Sequence, residues 1–96
     1  MTVFLITPLA NNADAIGKAI AEHIGDGDSY VLPNNAGWFV NHKGTTVEVS
    51  STIGITGKIP GEKAKLGSAL VTPVNSYYGI GSSDMWEWLK IRLEGQ

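Results

Sequence analysis

Two apolar patterns of different period follow one another at the start of the chain. Val3–Thr7 is a short, β-branched apolar run, which reads as a buried strand. Ile16, Ile20 and Ile24 then recur at four-residue spacing with Ala13 and Ala19 beside them, the stripe of a helix that packs on a sheet. Pro8 is expected to end the strand, since proline has no N–H for a ladder. Asn11-Asn12 is expected to open the helix, with a side chain accepting from a first-turn amide. Gly25 is expected to stop it, and "GDGD" at 25–28 reads as a turn.

The same pattern reading continues along the chain. Tyr30–Leu32 and "WFVN" at 38–41 are strands, and the five turn-type residues between them leave room only for an antiparallel hairpin. Residues 45–54 carry two sets of signals. Val47 and Val49 alternate with polar residues, as in a strand. Thr45 and Glu48 have capping-box spacing, Val49 and Ile53 lie four apart, and Gly54 precedes apolar Ile55. Start, stop and spacing agree, so a short helix is expected. Residues 56–67 read as a long connection, Ala69–Val74 as a strand and 75–81 as a short edge strand. Ser82, Ser83 or Asp84 would cap a final helix, Met85–Glu94, with Asp84 and Glu87 at capping-box spacing. The order predicts one α+β domain over 1–96: a ferredoxin-like βαββαβ sandwich, helices on one face, with a C-terminal strand and helix.

Composition narrows the function classes. A 96-residue chain buries roughly 60–65% of its unfolded surface, enough for one modest core. It has no cysteine, which removes disulfides and thiolate metal sites. No apolar run approaches the ~20 residues of a membrane span, and the start lacks the pattern of a signal peptide, so the expectation is a cytoplasmic protein with no membrane partner. Seven Lys and Arg against nine Asp and Glu give a net charge of −2, which disfavours nonspecific nucleic-acid binding without excluding it. Lys58, Lys63 and Lys65 form the single basic cluster; it is a candidate phosphate-contacting loop, or more simply a solvated one.

Chemistry-bearing residues are sparse. An α/β enzyme often places an acid or nucleophile after its first strand, and here that place holds Thr7-Pro8-Leu9. His23 reads as a partly buried residue in the last helical turn, and His42 as exposed beside a turn. Two isolated histidines do not make a zinc site. Asp26 and Asp28 lack the rest of a calcium loop, the serines lack triad partners, and "GIGSSD" matches neither a P-loop nor the dinucleotide fingerprint. No catalytic residue, metal ligand or cofactor site is assigned, and the reading leans away from an enzyme.

The final helix is the most informative stretch. On a helical wheel Met85, Trp86, Leu89 and Leu93 cluster, with Trp88 and Ile91 on the adjoining side. An apolar arc this wide exceeds what one sheet needs, and two tryptophans on nearly opposite sides are not expected to share one sheet. Tyr77 and Tyr78 point to opposite faces if extended. Tyr77, Tyr78, Trp88 and Ile91 are therefore the candidate interface, for which a second subunit is the favoured partner. Another protein, or residues 56–67 of the same chain, are the other covers.

Three stretches carry a family resemblance: "VFLITPL", "GWFVNHKGTT" and "ALVTPVNSYYGIGSSDMWEWLKIRL". Together they resemble the small Cas2-like proteins of the SinR family, and the resemblance implies a ferredoxin-like fold and a homodimer formed through sheets and C-terminal tails. Catalytic members of the wider group carry a metal-holding Asp at the end of strand one; Thr7-Pro8 stands there in this chain, and neither residue replaces a carboxylate toward Mg²⁺. The expected function is a noncatalytic, homodimeric interaction module. The alternatives are a Cas2-like metal-dependent nuclease or nucleic-acid binder, and a small inhibitor or regulator of a larger complex.

Overall fold

The apolar run at the start of the chain becomes an inner strand with a partner on each side. A computed structural model describes residues 2–25, 27–33, 36–55, 68–74 and 83–94. The elements run β1 (Thr2–Pro8), α1 (Ala13–His23), β2 (Ser29–Val31), β3 (Trp38–His42), α2 (Thr46–Ile53), β4 (Ala69–Pro73) and α3 (Ser83–Glu94). All neighbouring strands are antiparallel, in the order β2-β3-β1-β4. The chain is α+β, and the β2–β3 hairpin is present as expected.

Pro8 does not end β1. It lies opposite Ala69 of β4, while the flanking Leu9 amide donates to the Ser68 carbonyl at 3.0 Å. Bonded pairs alternate in an antiparallel ladder, so the Pro8–Ala69 pair exchanges no backbone bond. The missing N–H falls on the β3 side, beyond Trp38, the last residue of β3 in register with β1. Proline is tolerated because no partner needs its donor there.

Alternation along the strands divides the interior in two. Phe4 and Ile6 of β1 stand opposite Val40 and Trp38 of β3. These four pack with Ile16, Ala19, Ile20 and Ile24 and with Val49, Ile53 and Ile55 in one core. That face of the sheet is covered by α1 and α2. The isoleucine stripe is buried as its spacing predicts, but α1 closes differently at both ends. Asn12 is the N-cap without a side-chain capping bond; its Nδ2 donates instead to the Ser68 carbonyl, 3.0 Å away, tying the start of α1 to the start of β4. The C-cap is Ile24 in extended conformation rather than Gly25, because turning out of the helix there keeps the Ile24 side chain in the core.

The two-signal segment is a helix. Thr45 Oγ1 accepts from the Glu48 amide at 3.2 Å, and the Glu48 carboxylate accepts from the Thr45 amide at 3.3 Å. Gly54 closes α2 in the left-handed region at φ 98°, where a side chain would be strained. Asp84 sits within the first turn of α3, so it is not the cap of that helix.

Helices α1 and α2 share one face as expected, and the C-terminal helix α3 takes the other. Tyr30 of β2 stands opposite Phe39 of β3, and both alternate away from the core residues Trp38 and Val40. Trp88 of α3 meets both rings, with centroids 6.2 Å from each. So α3 covers the second face, where Val3 and Leu89 are both almost fully buried.

Candidate functional site

On the second face, aromatic, cationic and polar groups converge at the turn between α1 and β2. The Trp88 ring stacks on Phe39 at an interplanar angle of 20° and is tilted 48° to Tyr30. Its Nε1–H donates to the Gly27 carbonyl at 3.1 Å. Arg92, one turn later, lays its guanidinium 4.4 Å from the Trp88 ring centroid and donates through Nη2 to the same carbonyl. A cation over an indole face adds to such packing. Asp28, beside Gly27, is half-buried and accepts from Asn41 Nδ2 at 3.4 Å, while its carbonyl accepts the Asn41 amide at 2.7 Å.

This arrangement fastens α3 to the turn between α1 and β2. The Trp88 N–H is used, and its ring is met by Phe39, Tyr30 and Arg92, all within the chain. On the wheel Trp88 is an aromatic that something beyond the sheet must cover: a second subunit, another protein or residues 56–67. The correction is geometric. Trp86 and Trp88 lie about 160° apart on the helix, yet both are partly buried, because they flank the inward-facing Leu89 on a helix seated over a sheet. Arg92, Gly27, Tyr30 and Phe39 were not singled out from sequence. The i, i+4 spacing of Trp88 and Arg92 was the one local sign of the cluster; the shared carbonyl of Gly27 lies 61 and 65 residues away.

The other sequence candidates fall as follows. Ile91 is 63% exposed on the outer side of α3, so it remains available to a partner. Tyr77 and Tyr78 lie outside the described residues, as do Lys58, Lys63 and Lys65, the edge strand expected at 75–81 and the covering segment 56–67. Thr7 and Pro8 are half-buried at the end of β1, opposite Leu70 and Ala69. His23 is exposed rather than partly buried, because α1 turns its isoleucines inward. His42 is half-buried rather than exposed, at the end of β3, with Nδ1 2.7 Å from the Lys43 carbonyl oxygen. Among the described residues no three His, Asp or Glu side chains converge as metal ligands would, and no helix is long and apolar enough to cross a membrane.

The outer strands are the second place of interest. Among the described residues, β2 and β4 form the sheet edges. Val31 on β2 is 66% exposed and Leu70 on β4 is 51% exposed. Strand β2 is three residues long, preceded by Asp28 and followed closely by Pro33. Strand β4 is five residues long and carries no charge. No protein-family model matches this sequence, and no curated protein or solved structure is significantly similar to it.

Proposed function

We propose that this chain is a noncatalytic α+β interaction module that works as a homodimer. One observation carries it: among the described residues β4 is an uncharged outer strand with a half-exposed leucine. Edge strands are templates for pairing, and proteins that stay monomeric blunt them with charge, shortness, proline or a cover. Strand β2 has the first three defences at hand; among the described residues β4 has proline alone, at its last residue. A second copy is the partner that every molecule in solution meets, and isologous pairs are the commonest oligomers.

The finer fold reading belongs to the same proposal. In the sheet β3 lies between β1 and β2, and β1 lies between β3 and β4, with a helix in each crossover. This supports a ferredoxin-like split βαβ sandwich with α3 added on the second face. That arrangement is also what the resemblance to small Cas2-like, SinR-family proteins calls for. Light scattering and sedimentation across the micromolar range test the oligomeric reading. A dimer mass is expected; a monomer at every concentration would end it.

A further inference from the structure

We propose that α3 is a detachable cover: it leaves the sheet as one unit while the core under α1 and α2 stays folded, and its release bares Val3, Tyr30 and Phe39. The device goes beyond the interaction-module reading and holds for one chain alone.

The two faces of the sheet are packed separately. Phe4, Ile6, Trp38 and Val40 point to one side and meet the side chains of α1 and α2. Val3 alternates with Phe4 and lies on the other side, fully buried. Among the described residues α3 contributes no side chain to the larger core. The ladders that join β1 to β3 and to β4 are likewise made without it. Lifting α3 therefore takes nothing from the packing of the first face.

The described hold on α3 is concentrated. Leu89 is 1% exposed. Trp88 supplies the ring contacts to Phe39 and Tyr30. Trp88 and Arg92 both donate to the Gly27 carbonyl. These three residues lie within little more than one helical turn. Each contact depends on the others, since the Trp88 ring that carries the aromatic contacts is also the surface under the Arg92 guanidinium. Moving Trp88 breaks them together, which makes release all-or-none for the helix.

Seating α3 also has a cost that release removes. Arg92 Nε and Asn41 Oδ1 are both buried, and among the described residues neither atom has a hydrogen-bond partner. Asn41 stands opposite Val3, on the face that α3 covers, so both atoms belong to that side of the sheet. A donor and an acceptor buried without partners forfeit their hydration. Release returns both to water. Opening of α3 is therefore cheaper than unfolding of the whole chain, as expected of a cooperative unit at the less stable end of a domain.

Native-state amide exchange on the full chain in low urea tests this, with rates corrected for intrinsic exchange. The protected amides of α3 are expected to share one opening free energy and to exchange about a hundredfold faster than those of Phe4 and Ile20. Ile53→Val weakens the first core, and is expected to speed Phe4 and Ile20 about fivefold while leaving α3 exchange unchanged. Exchange of α3 with the same opening free energy and urea dependence as Ile20 would overturn the proposal. So would α3 rates that rise in step with Ile20 in Ile53→Val. Amides of α3 with no protection at all would overturn it as well, because the helix would then never be seated.

Discussion

Gly37 is the residue at which the smallest chemical change should cost most. It lies at the entry to β3 with φ 146°, and a Cβ built there would overlap the Ile6 carbonyl oxygen of β1. Two costs add in Gly37→Ala. A backbone angle that L residues rarely adopt costs about 1–3 kcal/mol. Moving a packed inner strand to clear the methyl costs about 1–3 kcal/mol more. Their sum, about 4 kcal/mol, is a large share of the ~5–15 kcal/mol that holds a domain of this size together. Two other glycines separate the contributions. Gly54 has φ 98° with nothing near its hypothetical Cβ, so Gly54→Ala carries only the conformational cost, about 1 kcal/mol. Gly17, inside α1, would set a Cβ 3.3 Å from the Trp38 ring. That tight contact offsets the ~1 kcal/mol gained by replacing glycine in a helix, so Gly17→Ala should be close to neutral. Urea unfolding followed by tryptophan fluorescence reads all three. With m near 1 kcal/mol per molar, Gly37→Ala should lower the midpoint by about 4 M, or unfold the chain outright. A midpoint within about 0.5 M of the wild type, or a loss no greater than that of Gly54→Ala, would refute the close approach of Gly37 to β1.

Two further outcomes are expected from the same unfolding assay. Trp88→Ala removes a half-buried ring that meets Tyr30, Phe39 and Arg92, and should cost about 2–3 kcal/mol of subunit stability; an unchanged midpoint would mean that α3 is not seated on the sheet. Thr45→Ala removes one half of the capping box on α2 and should cost about 1 kcal/mol, with no loss expected for Thr52→Ala on the exposed side of the same helix.

Much of the fold is legible in short windows of sequence. The isoleucine stripe of α1, the Thr45 and Glu48 capping pair, and Gly54 before Ile55 each involve groups within a turn or two of one another. Their geometry is set by local backbone chemistry. Where a local signal had competitors, it failed. Asn12 could cap α1 or reach elsewhere, and the Ser68 carbonyl, 56 residues on, took its amide. Gly25 could end α1, but burial of Ile24 ended the helix sooner. Pro8 looked like a terminator because its missing donor is a local fact, whereas the absence of any partner needing that donor is not. The candidate interface divides the same way. Ile91 is exposed as the wheel placed it, while Trp88, chosen by the same wheel, is met by rings more than forty residues away.

By itself, then, the sequence determined the types and order of the described elements and the faces that α1 and α2 bury, since periodicity and caps are properties of neighbouring residues. The tertiary structure alone decided which side of the sheet receives α3, what the Trp88 indole and the Arg92 guanidinium bind, and in which order the described strands lie in the sheet. These depend on how strands distant in sequence are ordered in the sheet, and a one-residue difference in register turns every donor and side chain to the other side.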